Sequence, residues 1–497
     1  MTMTYNTHHR AMQKIRSLMV AATLVSLAAC RSGDLDIANP NSPTVAGASA
    51  DPTAFQLLAT GLLADQRGTR IGMINYVGIL GREAYVFTPQ EGRNTTHFLI
   101  GINVNGVQKL DPTGFAVAPW GGQYAVLRDI FNFKKTVNTA PTLTTAQKSA
   151  ALGFAQTLEA MMLFDIVQTH DTLGAIVEIK DDASSLAPFV SRDSVYKYIL
   201  NTLDAGSTNL AAGGSAFPFT MNSGFTGFNT PATFSQFNRA MKAKAAAHYA
   251  TAGGGATAWA ASLTALGSSF LNAAAATRGA FDVGVYDTYA ASPDTPNGFS
   301  STTNTTLYAH MSFQADAQKK ADGVTPDDRY TAKIRSGLPL RQGPITGDGP
   351  TSATSVIGFA IWPAITSPVA IIRNEELILI RAEARLATGD AAGAIADLNQ
   401  VRVNSGGLPP STLTAASPAA SILAGILYEK RYSTMMEANR WIDLRRYNLL
   451  NTLPLDITSG PNKSFVAKVS PIPQGECLVR AKSAGDLLGP GGLNNCS

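Results

Sequence analysis

Arg373-Asn-Glu-Glu-Leu-Ile-Leu-Ile-Arg-Ala-Glu-Ala-Arg-Leu-Ala-Thr-Gly-Asp390 runs straight into Ala391-Ala-Gly-Ala-Ile-Ala-Asp-Leu-Asn-Gln-Val401-Arg402. Leu377, Ile380 and Ala384 recur at helical spacing, and so do Ala391, Ala394, Ile395, Leu398 and Val401. Two apolar stripes of this period describe two amphipathic helices. Asn374 reads as the cap of the first helix, and Gly389-Asp390 as the turn before the second. One α-hairpin cannot bury its own apolar face, so other helices must stack on it.

Working outward, more helices are legible. Over 146–169, Ala151, Ala155, Leu158, Met162 and Ile166 share a face. Ser191-Arg-Asp-Ser194 precedes a helix carrying Val195, Ile199 and Leu203, which is expected to end near Gly206. Phe237 to Ala250 is an Ala-rich helix that Gly253-Gly254-Gly255 is expected to stop. A further helix runs from about Ser421 to Glu437. The hairpin at 382–401 resembles a tetratricopeptide unit, with small residues where its helices touch, although no strict period of about 34 residues appears. Residues 208–236 and 280–370 lack helical period and are rich in Gly, Ser, Thr, Asn and Pro. Aromatics inside the second stretch (Phe281, Tyr286, Tyr289, Tyr308, Trp362) argue for order there. The expected fold is therefore all-α, mainly helical. A tetratricopeptide-like hairpin scaffold at about 146–255 and 371–446 carries a loop-rich, ligand-facing region at 256–370. No linker divides 51–497, which reads as a single domain.

The N-terminus has a different character. His8, His9, Arg10, Lys14 and Arg16 precede a short apolar run from Leu18 to Ala29, which ends in Leu27-Ala-Ala-Cys30. A basic head, a short apolar middle and small residues before a cut describe a secretory signal, with Met12 an alternative start. The run is shorter than the roughly 20 residues a membrane-spanning helix needs. The ending resembles the lipobox of bacterial lipoproteins, which implies removal of residues 1–29 and acylation of Cys30. Residues 30–50, with Asn39-Pro-Asn-Ser-Pro-Thr44, read as the lipidated N-terminus and tether. Arg10, Lys14 and Arg16 supply most of the formal charge of +4, so the remainder is near neutral and nucleic acid is not an expected partner. With Cys30 acylated, Cys477 and Cys496 remain, either as a disulfide fixing the tail or as two free thiols; their spacing does not choose.

Several blocks line up in chain order. They are the lipobox and 39–44 segment; Trp120, Tyr124, Ile130 and Asn132; Arg373 to Arg402; Glu429-Lys-Arg431 with Glu437-Ala-Asn-Arg-Trp-Ile-Asp-Leu-Arg-Arg446; and Ser470-Pro-Ile-Pro-Gln474 with Glu476. In this order the chain resembles the SusD/RagB family of outer-membrane lipoproteins. It departs at Ala438-Asn439, where the family often has Glu-Gly before Arg-Trp, and at Lys430, where an Arg is usual. The resemblance implies four tetratricopeptide-like hairpins and a closing strand at 470–474. It also implies capture of a nutrient oligomer, usually an oligosaccharide. The protein would be anchored by lipid in the outer membrane, facing outward, and would pass the ligand to a SusC-like TonB-dependent transporter. Relatives also carry peptides, so a scaffold for peptides or proteins is the alternative, and a surface glycosidase a third.

Chemistry argues for binding rather than catalysis. His97, His170, His248 and His310 show no metal-ligand spacing, and no nucleophile elbow or phosphate loop is present, so neither a catalytic residue nor a metal or cofactor is expected. His170-Asp171 reads as a solvated turn, and Asp327-Asp328-Arg329 as a turn or salt-bridged loop. Glu375-Glu376 point about 100° apart on a helix and cannot straddle one glycosidic bond; they suit a helix N-terminus. The charges of 429–446 read as an ion-pair network with Trp441 under an Arg face. Sugar binding calls for aromatic faces and polar groups on loops. Tyr85, Phe87, Asn94 and His97, with Gln90, Arg93 and Phe98, form one candidate cluster. Tyr286, Tyr289, Asn304 and Tyr308 form the other. Each aromatic also suits a core, and Trp120 reads as structural.

Overall fold

In the computed structural model, residues 52–88, 91–114, 119–182, 184–343, 353–458 and 463–480 are described. The signal and tether, Cys30 and Cys496 lie outside them.

The first part of the chain is a run of helices: α1 (Pro52–Leu80), α2 (Gly121–Thr139), α3 (Thr145–His170), α4 (Arg192–Ala211), α5 (Pro231–Tyr249) and α6 (Gly255–Gly267). The expected 146–169 helix is α3, and its start is fixed by a capping box. Thr144 Oγ1 accepts from the Gln147 N–H (3.2 Å) while Gln147 Oε1 accepts from the Thr144 N–H (2.9 Å). Beyond its first turn α3 is buried nearly all round, as a helix apolar on every face must be. Among the described residues, 145–173 is the one helical stretch long and apolar enough to cross a membrane, and most of it is packed inside the protein.

Gly206 does not end its helix; α4 continues to Ala211. Its role is contact. A Cβ on Gly153 of α3 would come within 2.8 Å of the Gly206 carbonyl oxygen, so the two helices cross where neither has a side chain. Asn238 of α5 then donates to Thr157 of α3 at 2.8 Å. The triple glycine is not a stop either. Ala250–Gly254 forms a π-helical turn in which Gly253 takes φ +129°, and α6 follows at once. The loop-rich insert thus begins after Gly267 rather than at 256.

The decisive hairpin is present as α7 (Asn374–Ala387) and α8 (Ala391–Asn404), with Gly389 at φ +90° and Asp390 Oδ1 capping the Gly393 N–H at 2.8 Å. Asn374 lies inside the helix, and Arg373 holds the cap position. The Asn374 side chain is spent elsewhere: Oδ1 accepts from the Asn272 N–H (2.7 Å), and Nδ2 donates to the Ala280 carbonyl (3.1 Å). α9 (Ala419–Ser433) stops short of Glu437 because the chain turns through Met436 (φ +57°) and Ala438 (φ +61°) into α10 (Arg440–Arg446). Consecutive helices pack on each other from α2 to α6, and α7 packs on α8, α9, α5 and α6. This is the all-α, tetratricopeptide-like scaffold expected. One core lies under the α2–α6 stack, with Phe154, Leu158, Phe234 and Phe237; a second, with Tyr76, Trp362, Tyr432 and Trp441, lies under the loop-rich region.

Short strands that sequence period alone did not reveal tie the insert to the rest of the chain. β1 (Ala84–Val86) pairs antiparallel with β3 (Leu307–Ala309), and β2 (Gly284–Asp287) with β4 (Val369–Arg373), which runs directly into α7. No strand forms at 470–474; Ser470 N–H bonds the Thr169 carbonyl and a short helix starts at Gln474.

The ion-pair network expected at 429–446 is present and buried. Lys430 Nζ lies 2.7 Å from Glu383 and 2.9 Å from Asp443, and Arg446 bridges the same two carboxylates. Arg329 joins Asp327 and Glu429, each at 2.6 Å. Arg445 lies 4.8 Å over the Trp441 ring. These contacts tie α9 and α10 to α7.

Candidate ligand-binding site

The β2–β4 ladder and the start of α7 build one wall of a cavity of about 750 Å³. Arg373 is its hub. It sits where β4 becomes α7, and its guanidinium reaches Asp282 (2.9 Å), Glu375 (3.0 Å), Glu437 (2.6 Å) and the Ser433 carbonyl (2.7 Å). Burial alone would raise the Glu375 carboxyl, but Arg373 and Arg278 overcome it and hold it well below the usual carboxylate range. Lys333, opposite, donates to the Tyr432 carbonyl at 2.8 Å; burial first, then the charge of Arg373, pulls it down to about 8.

The hub leaves two kinds of surface for a ligand. Arg278 and Asp282 are paired at 2.8 Å but keep nearly half their side-chain surface open. Tyr286 is half-buried and donates its hydroxyl to the Asp282 carbonyl, which fixes its ring at the cavity wall. Trp362, Pro363 and Pro368 add apolar lining, although Trp362 is mostly buried and stacks on Phe299 at 4.6 Å. An aromatic face, apolar edges and a few fixed polar groups suit a small organic ligand.

The structure distributes the sequence candidates differently. It brings the two clusters together, since Tyr85 stands opposite Tyr308 across β1 and β3. They meet as core, however. Tyr85 stacks on Phe87 at 5.0 Å and Phe87 meets Tyr308 at 5.7 Å, with all three rings buried. A buried ring has no face left for a sugar. Tyr289 is also buried, with the Arg67 guanidinium 5.4 Å over it. Asn304 is consumed by its own loop, accepting from the N–H groups of Thr306 and Leu307 and donating to the Gly298 carbonyl at 2.9 Å. Asn94 donates to Thr88 at 3.2 Å, and the half-buried His97 ring lies hard against Gly114. Of these eight residues, Tyr286 lines the cavity.

Sequence reasoning missed Arg278, Asp282 and Lys333. The Arg278–Asp282 spacing of four was the available signal. His170 is no solvated turn: it is buried at the end of α3, its Nδ1 is 3.0 Å from the Ile166 carbonyl, and burial pushes it down to about 4. Glu375 and Glu376 do lie in the first turn of α7, but both are buried and ion-paired, Glu376 to Lys244 at 2.7 Å. Among the described residues, no group of three or more His, Cys, Asp or Glu side chains is placed to hold a metal. Cys477 is disulfide-bonded, and its partner lies outside the described residues.

Fold and cavity together define a tetratricopeptide-like helical scaffold with a loop-walled pocket. Solved structures of the same build include a SusD superfamily protein from Bacteroides vulgatus (15% identity, 87% of this chain and 97% of that one, TM-score 0.61). They also include B. fragilis NanU (16% identity, 92% and 100%, TM-score 0.61). A SusD-like protein from Bacteroides fragilis matches at 18% identity over 86% and 96%, with TM-score 0.60. No curated protein sequence matches the chain. Residues 364–476 match the family model described as the SusD family. The C-terminal hairpins of this chain are thus similar to the SusD family, and the chain shares its overall fold with the solved SusD-like structures.

Proposed function

We propose that this protein is a non-enzymatic surface lipoprotein that binds nutrient oligomers, most simply oligosaccharides, and delivers them to a SusC-like TonB-dependent transporter. In this reading residues 51–497 form one domain and the lipid on Cys30 holds it at the outer membrane, facing the exterior. The observation that carries the binding role is the half-buried Tyr286 ring, fixed at the wall of the 750 Å³ cavity beside the open Arg278–Asp282 pair. A pyranose lays its C–H face on such a ring while its hydroxyls meet the carboxylate and guanidinium. Calorimetric titration of the purified protein with a panel of neutral oligosaccharides tests it. Saturable binding without release of shorter products supports the reading; hydrolysis would replace it with the glycosidase reading.

A peptide ligand is the second reading. Arg278, Asp282, Lys333 and Glu437 put both signs of charge on the same wall, which suits a zwitterion. The same titration with short peptides separates the two.

A further inference from the structure

A second cavity, of about 580 Å³, lies away from Tyr286, where the end of α3, the first turn of α4 and the end of α10 meet. Its lining is strongly cationic: Arg192, Arg445, Arg446 and Lys468 face a single acid, Asp171, beside His248. Asp171 is already shared, 2.6 Å from Arg192 and 3.9 Å from Arg445. The next carboxylates inward, Glu383 and Asp443, are divided between Arg446 and Lys430. Four cationic side chains, Arg192, Arg445, Arg446 and Lys430, therefore share three carboxylates, and Lys468 adds a further positive charge to the lining.

The hydrogen bonding is incomplete in the same direction. The Arg446 side chain is about nineteen-twentieths buried, with 5% exposed. Its Nε and Nη1 groups are buried without an acceptor. A buried donor on a charged group that lacks a partner is costly, so an acceptor is the missing component. Burial lowers the Arg445 guanidinium; Asp171 offsets part of that, and Arg192 and Arg446 add to it. Burial, then the charges of Arg446 and Lys244, hold His248 well below its usual range, so the ring stands neutral.

We infer that this cleft binds a small oxyanion, a carboxylate or phosphate group, between Arg192, Arg445, Arg446 and Lys468. Arg192 is already bonded to Asp171 and the Ala252 carbonyl, and Arg445 to the Gln168 and Lys468 carbonyls, so Nε and Nη1 of Arg446 are the donors left for an oxyanion, and Lys468 adds an exposed point charge at the rim. The site does not depend on the Tyr286 cavity.

The test titrates inorganic phosphate and glucuronate into the full chain by calorimetry at constant ionic strength, with glucose as the uncharged control. Binding of either anion supports the site, and the one that binds tells a phosphate source from an acidic sugar. Lys468→Gln should weaken anion binding about 2- to 5-fold, the worth of an exposed charge. Arg192→Gln, which removes a cleft charge and leaves Asp171 with only Arg445 at 3.9 Å, should weaken it by about tenfold or more. Circular dichroism checks that each variant is folded. Lys468→Gln should leave neutral oligosaccharide binding unchanged, which separates failure here from failure of the proposed function. The inference is overturned if neither anion binds the folded chain, or if binding is the same in folded Lys468→Gln and Arg192→Gln.

Discussion

Arg373 Nη2 lies 2.6 Å from a carboxylate oxygen of Glu437, joining the residue that caps α7 to the turn that follows α9. The same guanidinium holds Asp282 and Glu375, so one side chain positions the cavity wall and locks the C-terminal hairpins. Removing one partner of a buried pair leaves the other charge uncompensated. Arg373→Met is expected to cost about 3–5 kcal/mol of stability. Chemical denaturation measures it, and a loss under about 1 kcal/mol would show the hub to be dispensable.

The Tyr85–Tyr308 pair sets a contrasting expectation. Both rings lie in the second core. Tyr85→Ala and Tyr308→Ala should each destabilise the fold by about 3–5 kcal/mol, as large-to-small core changes do. Thermal melts check this. A stable Tyr308→Ala variant that had lost only ligand binding would reverse the assignment.

These residues also show where sequence reading succeeds and where it stops. Hairpin α7–α8 was legible because its apolar stripes and its Gly-Asp turn agree with each other. The network at 429–446 was legible because dense opposite charges in a short segment must pair when buried. Tyr85 and Tyr308 were legible as aromatics but not as core, since they are more than 200 positions apart and only the β1–β3 ladder brings them together. Helix α1 carries Gly61, Gly68 and Gly72, which blur its helical pattern. It is held by packing on α2 and α10, which a local pattern does not contain. Lys333 joined the site for a similar reason: its partners are the carbonyls of Tyr432 and Ser433, a hundred residues away.

Glycines give a matched pair of tests. At Gly61 nothing lies within 4 Å of an added Cβ, so Gly61→Ala should stabilise by up to about 1 kcal/mol through helix propensity. At Gly153 an added Cβ would meet Leu210 Cγ at 2.7 Å and the Gly206 carbonyl oxygen at 2.8 Å. Gly153→Ala should destabilise by about 1–3 kcal/mol. Equal effects in denaturation curves would contradict the close crossing of α3 and α4.

Glu83 supplies a pH signature. Burial, only partly offset by Arg440 and by the Met436 N–H, pushes its carboxyl up to about 7, and Oε2 has no partner. A carboxyl raised in the folded state binds more protons folded than unfolded between its ordinary value and about 7. Its contribution to stability is thus present at low pH and lost as pH rises through that window. The stability of the wild type relative to Glu83→Gln should fall from about pH 5 and level off above about pH 7. A flat difference would mean that Glu83 is ionised throughout.

The proposed function rests on Tyr286 and the cavity it lines as the place where the nutrient oligomer binds. The direct measurement is calorimetric titration of neutral oligosaccharides into the wild type and Tyr286→Ala. Saturable binding to the wild type is expected, weakened about tenfold in the folded variant, the worth of one aromatic face. Equal affinity in both, or no oligosaccharide binding to the wild type, would contradict it.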